Sequence, residues 1–240
     1  MDCGDEGICY EPYEVKAGIS MAVNLREAFK TSELLRKAPL KATVIIDSPT
    51  MLVPIEEFQA EEMEEQYHMV FSSCKGEAIE MSVVPALKNM AVFSMSRDLK
   101  TVLNDHFEDL RIKPLMSSVW EYLLRRSYGS NNKKLYAYFH DGKMELCCFQ
   151  RTRFAFVNTF EADSPENAIY FILGVWKQIG AMAKVDDLFI CGTPALKDKM
   201  NGELKQFLAR IFYINPAADF NRAPATQILN MPFDMMLQLM

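Results

Sequence analysis

Hydrophobic and polar positions alternate with a strand-like period in some stretches of the chain and a helix-like period in others. The clearest stretch runs from Leu135 to Asp219. Leu135-Tyr136-Ala137-Tyr138-Phe139 and Met144-Glu145-Leu146-Cys147-Cys148-Phe149 are short apolar runs on either side of Asp141-Gly142, the preferred pair for a two-residue type I′ hairpin. Phe154 to Phe160 predicts a third strand. Asp163-Ser164-Pro165-Glu166 then starts a helix: Ser164 can cap, Pro165 suits the first turn and Glu166 favours the positive end. Ile169, Ile172, Leu173, Trp176, Ile179 and Ala183 recur at helical spacing and predict its inward face. Asp187 to Gly192 reads as a strand. Thr193 and Pro194 open a second helix with the stripe Leu196, Met200, Leu204, Phe207, Leu208 and Ile211. Gly202 inside that helix costs up to ~1 kcal/mol relative to alanine. The order is strand, strand, strand, helix, strand, helix, short strand.

The first half is less regular. Leu25 to Leu35 predicts a helix ended by Pro39, and Ala42 to Ile46 a buried strand closed by the Asp47-Ser48-Pro49 turn. Met51 to Pro54 is a short extended piece, and Pro54 argues against a central strand there. Glu56 to Val70 predicts a helix with six glutamates and a narrow stripe of Met63, Tyr67 and Val70. Such a helix is either a solvated face or a docking element for a basic partner. Ala78 to Val84 and Asn89 to Ser94 read as strands joined at Pro85–Asn89. Ser96 caps a helix whose face carries Leu99, Val102, Leu103, His106 and Phe107. Arg111 to Leu115 is a short strand, Ser118 caps a helix through Arg126, and Gly129-Ser130-Asn131-Asn132 breaks the pattern. These elements predict an α/β protein of two parts, residues 1–129 and 130–240, the second with an apolar tail at Met231–Leu237.

Composition narrows the function classes. The 240 residues are 50% hydrophobic, enough for one large domain or two modest ones. No apolar run reaches the ~18 residues of a membrane span, and the acidic start Met1-Asp2-Cys3-Gly4-Asp5-Glu6 predicts no signal peptide. The six cysteines make no CxxC pair and no disulfide framework, so the expectation is reduced thiols in the cytoplasm. The net charge of −6 argues against general nucleic-acid or anionic-membrane binding. One sector is basic, with Arg125, Arg126, Lys133, Lys134, Lys143, Arg151 and Arg153.

The order of elements from Asn89 onward resembles the actin-like proteins of type IV pilus assembly and type II secretion. Met90–Ser94, Ser96–Phe107, Arg111–Leu115, Ser118–Arg126 and Leu135–Phe149 match their strand, helix, strand, helix and second phosphate hairpin. Cys191-Gly192-Thr193-Pro194 stands where those proteins have a glycine-rich adenosine turn, and Ile214-Asn215-Pro216 resembles the Asn-Pro after their last strand. Val44-Ile45-Ile46-Asp47-Ser48-Pro49-Thr50-Met51-Leu52-Val53-Pro54 is similar to an uncharacterised Bacteroidetes family with an actin-like ATPase fold. The resemblance covers most of the chain from about residue 25. It implies two ribonuclease H-like halves with mixed sheets flanked by helices, and a bacterial protein. Either the opening hairpin of the first half is reduced, or the chain begins inside it.

The resemblance also says which chemistry to look for. An actin-like ATPase needs small residues where backbone N–H groups meet phosphate, and an aspartate on the first strand of each half for Mg²⁺. Here Tyr138 stands at the aspartate position of the second hairpin and His140 at the glycine position. Asp141-Gly142 reads as the hairpin turn. Gly142, Lys143, Gly192 and Thr193 are the remaining candidates for a vestigial nucleotide cleft. Cys191 is better placed for a lowered pKa than the other cysteines, but a buried structural thiol is the preferred reading. His68, His106 and His140 lack metal-ligand spacing. Glu145 stands alone, short of the clustered carboxylates of a two-metal nuclease. No GxSxG, Walker A or GxGxxG motif is present. Two readings follow. The first is a non-catalytic interaction or scaffold module with no cofactor and a protein partner. The alternative is a divergent actin-like ATPase that binds ATP and Mg²⁺.

Overall fold

The computed structural model describes residues 2–4, 7–37, 41–129, 131–150, 153–193, 197–220, 223–228 and 231–239. They form two compact units, residues 1–119 with 227–234 and residues 120–226 with 235–240.

In the first unit, β1 (Asp2–Gly4) and β2 (Gly7–Cys9) make a short antiparallel hairpin. Helix α1 (Met21–Thr31) starts at Ser20, whose hydroxyl accepts from Val23 N–H. The helix expected to run on to Leu35 breaks at Ser32, which adopts an extended backbone and caps the separate turn α2 (Glu33–Arg36). A serine side chain competes with the helical ladder, so a break there is physically natural.

Strand β3 (Lys41–Ile46) is followed by β4 (Thr50–Pro54), whose Pro54 is its last residue, at the outside of a sheet. The acidic segment is not one helix. Two 3₁₀ turns, Ile55–Glu57 and Ala60–Glu62, precede α3 (Met63–Val70). Met63 and Tyr67 are buried as expected, but Val70 is exposed. β5 (Ala78–Val84) and β6 (Asn89–Met95) form a hairpin. Ser96 caps α4 (Arg97–His106) by accepting from Leu99 N–H. Val102, Leu103 and Phe107 face inward, while His106, the last helical residue, is exposed and stacks on Phe29. β7 (Asp109–Pro114) leads to α5 (Met116–Ser127), which begins two residues before the expected Ser118 cap.

The strands of this unit form a three-stranded sheet, β4-β6-β5, and a parallel pair, β3-β7. Each has its own core. Met63, Tyr67, Cys74 and Val92 lie in the first. Met95, Leu103 and Phe107 lie in the second, with Leu25, Phe29, Val44 and Ile46 against them.

The second unit holds β8 (Lys134–His140), β9 (Lys143–Gln150) and β10 (Arg153–Glu161), then α6 (Pro165–Gln178), β11 (Asp187–Gly192), α7 (Lys197–Leu204), β12 (Ile211–Tyr213) and α8 (Pro216–Asp219). Its sheet has the order β10-β9-β8-β11-β12, with β8, β11 and β12 parallel. Ser164 caps α6 as expected, accepting from Asn167 N–H.

Because side chains alternate across a strand, the sheet presents two different faces. Leu135, Ala137, Phe139, Leu146, Cys148 and Ile190 pack against α6 and α7 with Ile172, Met200 and Leu204. Tyr136, Phe189 and Phe212 stack on the other face, at centroid spacings of 5.2 Å. Two expected inward positions differ. Phe207 follows the end of α7 and is exposed, and Ala183 lies beyond α6 and is exposed. Pro194, Leu196 and Arg151 lie outside the described residues. The apolar tail carries α9 (Phe233–Leu237), and Met231 and Phe233 before and within it are buried.

Candidate functional site

The residues singled out for phosphate contact meet at one end of the second unit's sheet. β8 and β11 run parallel in register, with Gly192 opposite Phe139, and the 141–142 turn begins two residues beyond. Ligands of open α/β sheets bind outside the carboxyl ends of such strands. The geometry there answers several questions left by the sequence.

Asp141 and Gly142 both have positive φ, 42° and 74°, as a type I′ turn requires. His140 pairs with Lys143, so the loop holds two residues. The carbonyl of Gly142 accepts from Ala162 N–H at 2.8 Å, which ties the turn to the end of β10. Asp141-Gly142 is therefore a hairpin device in this chain.

Gly192 is required for a different reason. Its φ is +82°, and a Cβ built on it would lie 2.0 Å from the Phe139 carbonyl oxygen. Only glycine fits so close a backbone approach. The next residue, Thr193, spends its N–H on the same Phe139 oxygen at 3.0 Å. Thr193 itself is not helical.

Tyr138 and His140, at the positions of the expected aspartate and glycine, are 2% and 7% exposed. Their rings stack at 5.1 Å with an interplanar angle of 17°. Across the hairpin from Tyr138 lies Glu145, a buried carboxylate that accepts from Trp120 Nε1 at 3.0 Å and from Thr159 Oγ1 at 2.5 Å. Burying a charge demands such partners, and their presence accounts for Glu145 as a structural acid.

Cys191 is the buried structural thiol of the two readings, without the lowered pKa of the other. It is 2% exposed, and burial pushes its thiol up. Burial likewise raises Cys147, and takes Cys148 to about 11. These two thiols occupy opposite faces of β9, Cys148 on the side of α6.

The basic sector is largely committed within the unit. Arg126 is ion-paired with Asp219, which also accepts from Tyr122 Oη. Lys133 Nζ donates to the Ile179 and Gly180 carbonyls at 2.8 Å, and Lys134 Nζ to the Arg126 carbonyl at 2.7 Å. Cations at helix C-termini satisfy the orphan carbonyls there. Beside these lysines is a cleft of about 810 Å³, lined by Tyr128, Asn131, Asn132, Phe149, Phe156 and Gln178 among others. It lies at the opposite end of β8 and β9 from the 141–142 turn. The Tyr122–Asp219–Arg126 cluster was not legible in the sequence, since its members are 93 and 97 residues apart.

The fold has solved relatives. One is a protein from Bacteroides thetaiotaomicron with an actin-like ATPase fold and unknown function. It is 26% identical, with a TM-score of 0.82 over 94% of this chain and 83% of that one. A second is the PilM–PilN type IV pilus biogenesis complex, 12% identical, with a TM-score of 0.51 over 95% of this chain and 88% of the other. A search of curated proteins gives no match. The expected mixed α/β architecture of the actin-like ATPase superfamily is thus met, as is the resemblance to the pilus assembly proteins. Among the described residues no helix is long and apolar enough to cross a membrane. A family model described as a protein of unknown function, DUF3822, matches residues 4–211, and the chain belongs to that family.

Proposed function

We propose that this protein is a non-catalytic interaction module built on an actin-like scaffold, working in the cytoplasm with a protein partner. The observation that carries the reading is the state of the second phosphate hairpin. An ATPase needs an open backbone cradle and a carboxylate for Mg²⁺ at this point. Here two stacked, buried rings, Tyr138 and His140, take those positions. The Thr193 N–H, a natural phosphate donor, is bonded to Phe139. Gly142, Lys143 and Gly192 then serve hairpin and sheet geometry, with no cofactor. Similarity to a PilM solved with PilN supports a protein partner for a chain of this fold.

Thermal unfolding with and without Mg-ATP and Mg-ADP tests the proposal. A ligand at 100 times its dissociation constant adds ~2.7 kcal/mol of stability. The expected result is no shift at millimolar nucleotide. A magnesium-dependent rise in Tm that is lost in Lys143→Ala would overturn the proposal in favour of a divergent ATP-binding protein.

A further inference from the structure

The cleft at the far end of β8 and β9 is separate from the phosphate hairpin. It measures about 810 Å³, within the ~300–1,000 Å³ of pockets that enclose a small molecule. It opens where α5, α6 and β9 end. Ser127 and Gln178, the last residues of the two helices, line it, with Phe149 near the end of β9 and Phe156 near the start of β10. All four lie in the second unit.

Its charges are balanced before any ligand arrives. A helix C-terminus carries about half a negative charge, and two of them meet here. Lys133 Nζ offsets one by donating to the Ile179 and Gly180 carbonyls, and Lys134 Nζ offsets the other through the Arg126 carbonyl. The nearby Asp186 carboxylate accepts from the Lys133 and Met182 N–H groups. None of the described lining residues is acidic. Lysines engaged in this way, beside two helix C-termini, make a poor phosphate site, and the lining offers a cation no anion. A neutral ligand is the one that fits.

The other lining side chains suit a flat heterocycle. Tyr128 is 54% exposed and lines the cleft together with Phe149 and Phe156. Aromatic rings stack on the face of any base. Asn131 and Gln178 are exposed, and their carboxamides make no hydrogen bond among the described residues. A carboxamide presents a donor and an acceptor side by side, the match for N7 and the N6 amino group of adenine. Stacking rings joined to such polar groups are how proteins hold an unpaired base.

We propose that this cleft binds a neutral purine base or nucleoside, with adenine the best match. The ring stacks on Tyr128, and the Asn131 and Gln178 carboxamides pair with its polar edge. Binding there needs neither Mg²⁺ nor the Gly142 and Gly192 positions, and the helix C-termini disfavour a phosphate chain, so Mg-ATP is not its ligand.

The test is calorimetric titration of the full chain with adenosine in the absence of Mg²⁺. Saturable binding at a single site is expected. Tyr128→Ala and Gln178→Ala should each weaken it at least about tenfold, ~1.4 kcal/mol, while Tyr128→Phe keeps the ring and stays within about twofold. Both positions are exposed, and circular dichroism checks that the variants keep the fold. AMP should bind no tighter than adenosine, and uridine, with its smaller ring, more weakly. No heat at millimolar adenosine, binding indifferent to both alanine variants, equal affinity for uridine, or a preference for AMP would each overturn the proposal. So would binding lost in Lys143→Ala, which would place the base at the 141–142 turn instead.

Discussion

The two units draw on similar strands and helices but finish them differently. In the second, five strands make one sheet covered by α6 and α7 on one face, with an aromatic ladder on the other. In the first, the described strands divide into β1-β2, β4-β6-β5 and β3-β7, and the clusters around Tyr67 and around Leu103 are distinct. A continuous sheet fixes register across all its strands, because slipping one residue would turn every side chain to the wrong face. A sheet of two strands cannot hide both its edges. The contrast is one of finish: the second unit buries Tyr138 and His140 and commits Gly192 and Thr193 to backbone contacts with Phe139, while the first divides its described strands among smaller sheets.

The comparison is broken most directly at Gly192. Gly192→Ala needs positive φ and puts a methyl group against the Phe139 carbonyl, so a loss of about 3 kcal/mol or more is expected. Gly76→Ala, in the first unit, also has positive φ but meets open space, and about 1 kcal/mol is expected from backbone strain alone. Urea unfolding of both variants measures the difference. Equal losses would show that the close approach of β8 and β11 does not hold the second unit together.

Next in size is the buried acid. Glu145→Ala orphans the Trp120 indole N–H and the Thr159 hydroxyl, and about 2–3 kcal/mol is expected to be lost. Both tryptophans, Trp120 and Trp176, are in the second unit, so the loss should appear in tryptophan emission.

Alkaline pH sharpens the contrast further. Tyr122 and Tyr136 in the second unit are raised by burial, as are Cys147, Cys148 and Cys191. In the first unit burial takes Tyr67 to about 12. Each group holds its proton to higher pH folded than unfolded. Stability is therefore intact below the unfolded values of about 8.5 for thiols and 10 for tyrosine, and falls as pH rises above them. With more such groups, the second unit should weaken first. A pH titration should show tryptophan emission changing before amide exchange in β6 accelerates; the reverse order would contradict the assignment.

The smallest effect concerns the network that pins α3. Tyr67 Oη donates to the Pro49 carbonyl at 2.7 Å and lies 3.1 Å from Ser94 Oγ, which donates to Glu77 at 2.5 Å. Tyr67→Phe keeps the packing and removes the hydroxyl, for an expected loss of about 1–2 kcal/mol, read as a shift in the urea midpoint at constant slope.

The sequence by itself determined the local grammar. Asp141-Gly142 specified its turn through positive φ, Ser96 and Ser164 specified helix starts through their hydroxyls, and alternation along Leu135–Phe139 specified two faces. These are interactions among residues a few positions apart, and their chemistry is written in order along the chain. What only the tertiary structure decided was how each residue is used. That Gly192 is needed for the close approach of the Phe139 carbonyl on β8 appears only in the folded chain. Cys191 could be read as an activated or a buried thiol, and only its place on the sheet, where burial raises it, decides for the buried one. The acidic segment looked like one helix, but its first part coils into 3₁₀ turns before α3. The partners of Glu145 and Asp219 depend on residues 14 to 97 positions away. Distance in sequence carries no record of such contacts, because they arise only when separate elements pack and exclude water between them.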